Sequence, residues 1–106
     1  MVFFRSKRKH SRIFMSLPVR VEGHGIQCEA STLEIGGGGM ALAGAEQLAV
    51  SMPVRVTLTL PPESEIRLEA VVWWKQGKRV GLRFDPADAN RVLVERFVAE
   101  QVEAGG

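Results

Sequence analysis

The sequence predicts an all-β fold, a six-stranded antiparallel β-barrel closed by one C-terminal helix. Two observations carry this expectation. Short alternations of apolar and polar residues recur along most of the chain, separated by glycine or proline, with no β-α alternation of the kind a doubly wound sheet requires. The pattern then changes after Phe84 to a stretch free of glycine and proline with helical apolar spacing. At 106 residues the chain has room for one domain with one core, because single domains run from about 50 to 200 residues. We expect a basic N-terminal arm over residues 1–12 and the barrel over 13–104, with its helix starting at about residue 88.

The elements follow in order. Leu17-Pro18-Val19-Arg20-Val21-Glu22 alternates apolar and polar residues, His24-Gly25 interrupts, and Ile26 to Leu33 resumes the alternation, which reads as strand, tight turn and strand. Gly36 to Gly39 mark a bend with exposed backbone before a short apolar strand, Met40-Ala41-Leu42-Ala43. Val54, Val56, Leu58 and Leu60 alternate with Arg55, Thr57 and Thr59, and Pro61-Pro62 ends that strand because proline cannot continue a ladder. Ile66, Leu68, Ala70 and Val72 form the next alternation, and Trp73-Trp74 lead through Gln76-Gly77-Lys78 into Arg79 to Phe84 with hairpin spacing. Strand geometry would put Trp73 and Trp74 on opposite faces, one in the core and one at the surface. In the helix, Ala89, Leu93 and Phe97 lie four apart and with Val94, Val98 and Val102 form an apolar stripe, leaving Arg91, Glu95, Glu100 and Glu103 solvated.

Composition narrows the function. Hydrophobic residues at 45% with charged residues at 25% exclude wholesale disorder, and no apolar run approaches the roughly 18 residues of a membrane-spanning helix. The N-terminus places its apolar residues before its charges, the reverse of a secretory signal, and a single Cys28 suits a small buried hydrophobe better than a disulfide, so we expect a cytoplasmic protein. Arg5, Lys7, Arg8, Lys9 and Arg12 stand without an acid in the first twelve residues, leaving nine basic against twelve acidic residues elsewhere. A local positive segment on an acidic body points to a discrete anion site or a binding arm, and no specific nucleic-acid partner is expected.

Catalysis finds no support. His10 lies in the basic segment and His24 in a turn, so neither is placed to activate a nucleophile. One cysteine and two separated histidines lack zinc-ligand spacing, and Glu63 and Glu65 read as a solvated pair. The glycines at 36–39 lack the Lys and Ser/Thr of a Walker A loop. No catalytic residue, metal or cofactor is expected. What remains is Arg8 and Arg12, four residues apart ahead of the first strand, whose guanidinium forks suit phosphates or the O6/N7 edge of guanine, beside a glycine bend that a ligand can approach closely. The plainer alternative is a solvated arm and an ordinary turn.

Arg8-Lys9-His10-Ser11-Arg12, Leu17-Pro18-Val19-Arg20-Val21, the run from Thr32 through Gly36-Gly37-Gly38-Gly39-Met40, Trp73-Trp74, Arg79-Val80-Gly81-Leu82-Arg83-Phe84 and the closing helix together resemble a PilZ domain over nearly the whole chain. The resemblance implies a six-stranded barrel with a C-terminal helix and, as ligand, cyclic di-GMP held by an R-x-x-x-R segment and a D/N-x-S-x-x-G segment. Arg8 and Arg12 match the first motif. In the second, Gly37 falls on the glycine, while Thr32 stands where the family has Asp or Asn and Glu34 where it has Ser. Glu34, two residues from Thr32 and expected on the same strand face, either accepts from guanine donors or pairs with Arg8 or Arg12 and competes with the phosphates. The resemblance therefore implies an adaptor binding cyclic di-GMP through Arg8, Arg12, Thr32, Glu34 and Gly37 and relaying it to a partner protein. The alternative is a degenerate PilZ interaction module in motility or exopolysaccharide regulation.

Overall fold

The computed structural model describes residues 12–105; Arg8, and with it the arm ahead of Arg12, lies outside the described residues. Seven strands and one helix follow in order: β1 (Arg12–Ile13), β2 (Pro18–Gly23), β3 (Ile26–Gly36), β4 (Gly39–Ala43), β5 (Pro53–Leu60), β6 (Ser64–Gln76), β7 (Arg79–Phe84) and α1 (Arg91–Gly105). Each neighbouring pair is antiparallel. The ring runs β3-β2-β5-β6-β7-β4 and closes through a β4–β3 pairing, giving the expected six-strand barrel, with the two-residue β1 added beside the end of β3. Closure leaves these six strands no open edge to pair with another chain.

The alternation of the sequence becomes the inside and outside of the barrel. Val19 and Val21 of β2, Val56 and Leu58 of β5, Leu68 and Val72 of β6, and Val80 and Phe84 of β7 are all buried. Each such side chain contributes about 1.5–3 kcal/mol relative to its exposed state. Helix α1 packs against β1 and β3 through Val94, Phe97 and Val98, with Val102 partly buried. No helix among the described residues is long and apolar enough to cross a membrane.

Three local expectations are corrected. The helix starts at Arg91, because Asp85 and Asp88 spend their side chains on the turns before it: Asp85 Oδ1 accepts from Ala87 N and Asp88 Oδ1 from Asn90 N, both at 2.9 Å. From that start the inward stripe centres on Val94, Phe97 and Val98, so Ala89 and Leu93 are exposed, and Arg91 is half-buried. Neither tryptophan is in the core. The β6–β7 register shifts between Val72 and Trp74, a bulge that turns both indoles outward, leaving Trp73 57% and Trp74 37% exposed.

Candidate ligand site

A second bulge organises the other side of the site. In the β3–β4 ladder Thr32 pairs with Leu42 and Glu34 with Ala41, so one extra residue, Leu33, separates them. Thr32 and Glu34 were expected on one strand face; the bulge places Thr32 inward opposite buried Leu42 and Glu34 outward. Thr32 is fully buried. Its Oγ1 accepts from Leu17 N at 2.8 Å and donates to Met15 O at 2.5 Å, while its own backbone N donates to Leu17 O at 2.9 Å. The hydroxyl thus fastens the Met15–Leu17 segment to β3.

Glu34 instead meets Arg12. Arg12 lies opposite Gly36 in the β1–β3 pair, which makes Glu34 its diagonal neighbour across the strands, and Arg12 Nη1 donates to Glu34 Oε1 at 2.8 Å. Of the two side chains Arg12 keeps 31% and Glu34 only 15% of its surface exposed, so this pair is far less screened than the exposed Arg20–Glu29 and Arg55–Glu69 pairs. In those two, the hydrogen bond to the carboxylate raises the arginine pKa above its ordinary value.

The outer surface between Arg12 and the tryptophans is nearly free of side chains. Cross-strand pairing sets Glu34, Ala41, Gly81 and Trp74 in one row over β3, β4, β7 and β6. A Cβ on Gly81 would run into the Trp74 indole, and one on Gly39 into the Leu82 carbonyl, so both positions need glycine for close approach. Above this floor is a cavity of about 250 Å³ lined by Arg12, Gly38, Gly39, Ala41, Trp73, Trp74 and Arg83 among others. The Arg83 guanidinium lies over the Trp73 ring, 4.6 Å from its centroid. Gly37 is buried on the helix side of this bend, where a Cβ would come within 2.9 Å of Glu95 Oε2.

Of the residues expected at the site, Arg12 and Glu34 are brought into contact, Gly37 lies against α1, and Thr32 sits inside the wall. Arg8 is outside the described residues. Trp73, Trp74 and Arg83 line the cavity and were not assigned to it from sequence. The signal available was the Trp-Trp pair itself, which period-two alternation read as half core. Among the described residues there is no group of three or more side chains that could hold a metal ion.

The class of the molecule is a closed antiparallel barrel with one covering helix, carrying an arginine and two indoles around a surface cavity. A PilZ domain family model matches residues 6–100, and the chain belongs to the PilZ domain family, a family of cyclic di-GMP receptors. Two solved structures show the same fold. The PilZ domain of CeSA from a cellulose-synthesising bacterium superposes with a TM-score of 0.70 at 22% identity, covering 85% of this chain and 96% of that one. The Bacillus subtilis inhibitor of motility MotI/DgrA gives 0.76 at 19% identity, covering 94% of this chain and 53% of that one. A search of the curated proteins returned no match.

Proposed function

We propose that this domain binds cyclic di-GMP in the cavity beside Arg12 and relays its occupancy to a partner protein in the cytoplasm, with no catalytic step. One observation carries the reading: a guanidinium fork, two exposed indoles and the Gly38–Gly39 backbone converge on one concavity. A ligand of two phosphates and two guanines asks for such a set, because guanidinium groups bind phosphate in charge-assisted pairs and purines stack on aromatic faces. Arg8, one R-x-x-x-R spacing ahead of Arg12, supplies a second fork in this reading. Glu34 competes with the phosphates for Arg12, Gly37 lets the bend lie close to α1, and Thr32 holds the wall from behind.

The second reading, a degenerate PilZ interaction module, is favoured by a specific observation of its own. The two family acceptor positions are both engaged inside the protein, Thr32 with Met15 and Leu17 and Glu34 with Arg12. Titration calorimetry with cyclic di-GMP, using GMP as control, separates the two. Saturable binding of the dinucleotide supports the receptor reading, and a folded protein that gives no binding supports the interaction module.

A further inference from the structure

Basic residues are unevenly placed around the barrel. From Val71 to Phe84 the chain has four cations, Lys75, Lys78, Arg79 and Arg83, and no acid, whereas the other described residues contain six arginines against twelve acids. Ion pairing divides the same way. Arg12, Arg20, Arg55 and Arg91 each have a carboxylate partner. Among the described residues no carboxylate pairs with the four cations of the β6–β7 hairpin: Lys75 Nζ donates to the Glu46 carbonyl at 2.8 Å, and Arg83 stacks on Trp73.

The hairpin is also tightly paired and open. Gln76 pairs with Arg79 across a two-residue turn whose Gly77 has a φ of 60°, the left-handed conformation such turns require. All four cations and both indoles are exposed.

We propose that the β6–β7 hairpin is a docking surface for a partner protein that presents an acidic segment bearing an apolar side chain. Lys75, Lys78 and Arg79 receive the carboxylates, and Trp73 and Trp74 receive the apolar group. Tryptophan and arginine are the residue types that anchor protein interfaces, and the acidic remainder of the barrel steers an acidic partner to this one place. The acids that flank the hairpin favour a peptide segment over a larger anionic body. A nucleic-acid duplex or a lipid surface wide enough to cover the hairpin also meets its acidic neighbours, Glu46 and Asp85, and is repelled there. Lys75, Lys78 and Arg79 lie outside the cavity lining, whereas Trp73 and Trp74 belong to it, so a bound nucleotide competes with the partner's apolar group for the indoles but not with its carboxylates for the three cations.

The test uses the full chain and, as probe, a short fluorescein-labelled peptide of Asp and Glu with central leucines, followed by fluorescence anisotropy at low and high salt. Binding is expected to saturate, to weaken with salt and with Leu→Ser replacement in the peptide, and to weaken by about tenfold in Lys78→Glu/Arg79→Glu. The milder Arg79→Gln should show a smaller loss in the same direction, and thermal melts of both variants should match the parent. Unchanged affinity in both folded variants overturns the proposal. So does tighter binding of an oligo(dT) strand or of phosphatidylglycerol vesicles than of the peptide, which would assign the hairpin to nucleic acid or to lipid.

Discussion

Arg12 Nη1 donates to Glu34 Oε1 at 2.8 Å across the β1–β3 pair, so the arginine that matches the R-x-x-x-R motif is held by the carboxylate that replaces the family's serine. The contact has a direct chemical consequence. One donor of Arg12 is engaged, and a carboxylate stands beside the place where the proposed nucleotide would set a phosphate. The remaining guanidinium N–H groups are not bound to Glu34, so the fork is weakened rather than abolished.

Glu34→Gln is therefore expected to raise affinity for cyclic di-GMP severalfold, by removing the competing charge while keeping an amide oxygen for Arg12. Stability should change by less than about 1 kcal/mol, since the pair is only partly withdrawn from solvent. Calorimetric titration of parent and variant checks this, and weaker binding by the variant would show that Glu34 itself receives guanine donors.

Thr32→Val tests the structural role of the buried hydroxyl. The substitution nearly preserves shape but strands Leu17 N and Met15 O, and one buried unsatisfied group costs about 1–3 kcal/mol. Thermal unfolding should drop by about 4–8 °C for each kcal/mol lost. A melting point equal to the parent's would mean that water replaces the hydroxyl at both groups.

Three glycines should respond differently to alanine. Gly81→Ala drives a methyl into the Trp74 ring and Gly39→Ala into the Leu82 carbonyl, and overpacking of this kind costs about 1–3 kcal/mol. Gly37→Ala meets Glu95, whose Oε2 at 2.9 Å can swing away and whose Cγ and Cβ at 3.1 and 3.2 Å need give only a few tenths of an ångström, and should cost less than the closer clashes at Gly39 and Gly81. Denaturant unfolding of the three variants ranks them, and Gly81→Ala should also shift tryptophan emission as the indole leaves its seat. A Gly37→Ala variant less stable than Gly39→Ala contradicts this packing.

How much of this was legible in the sequence divides at the two bulges. Period-two alternation found the barrel strands other than β4, because a barrel strand with one buried face must keep its register, while β4 was legible as a short apolar run after the glycines. Helical apolar spacing found the helix, but not its start, since the side chains of Asp85 and Asp88 compete for the backbone ahead of Arg91. The site was misread where one residue is added to a strand. Leu33 moves Glu34 to the face opposite Thr32, and the shift between Val72 and Trp74 brings both tryptophans out. Composition does not announce an inserted residue, so the indole wall required the folded ladder, and the ladder was also needed to select the pairing of Glu34 with Arg12 from the alternatives the sequence left open.

Cys28 offers a check on the packing of β3. Burial pushes its thiol pKa up, with nearby Glu46 adding to the shift, so the reactive thiolate is suppressed at mildly alkaline pH. A thiol reagent at pH about 8 should label native protein much more slowly than unfolded protein. Equal rates would place Cys28 at the surface.

The central claim is that Arg12 anchors a cyclic di-GMP site, and titration calorimetry of the parent beside Arg12→Ala addresses it most directly. The parent should bind the dinucleotide saturably and ignore GMP. Arg12→Ala should bind more weakly by about 1.5–3 kcal/mol, the range of a lost charge-assisted contact, while remaining folded. Equal affinity in the two proteins, or no binding by a folded parent, would contradict the account.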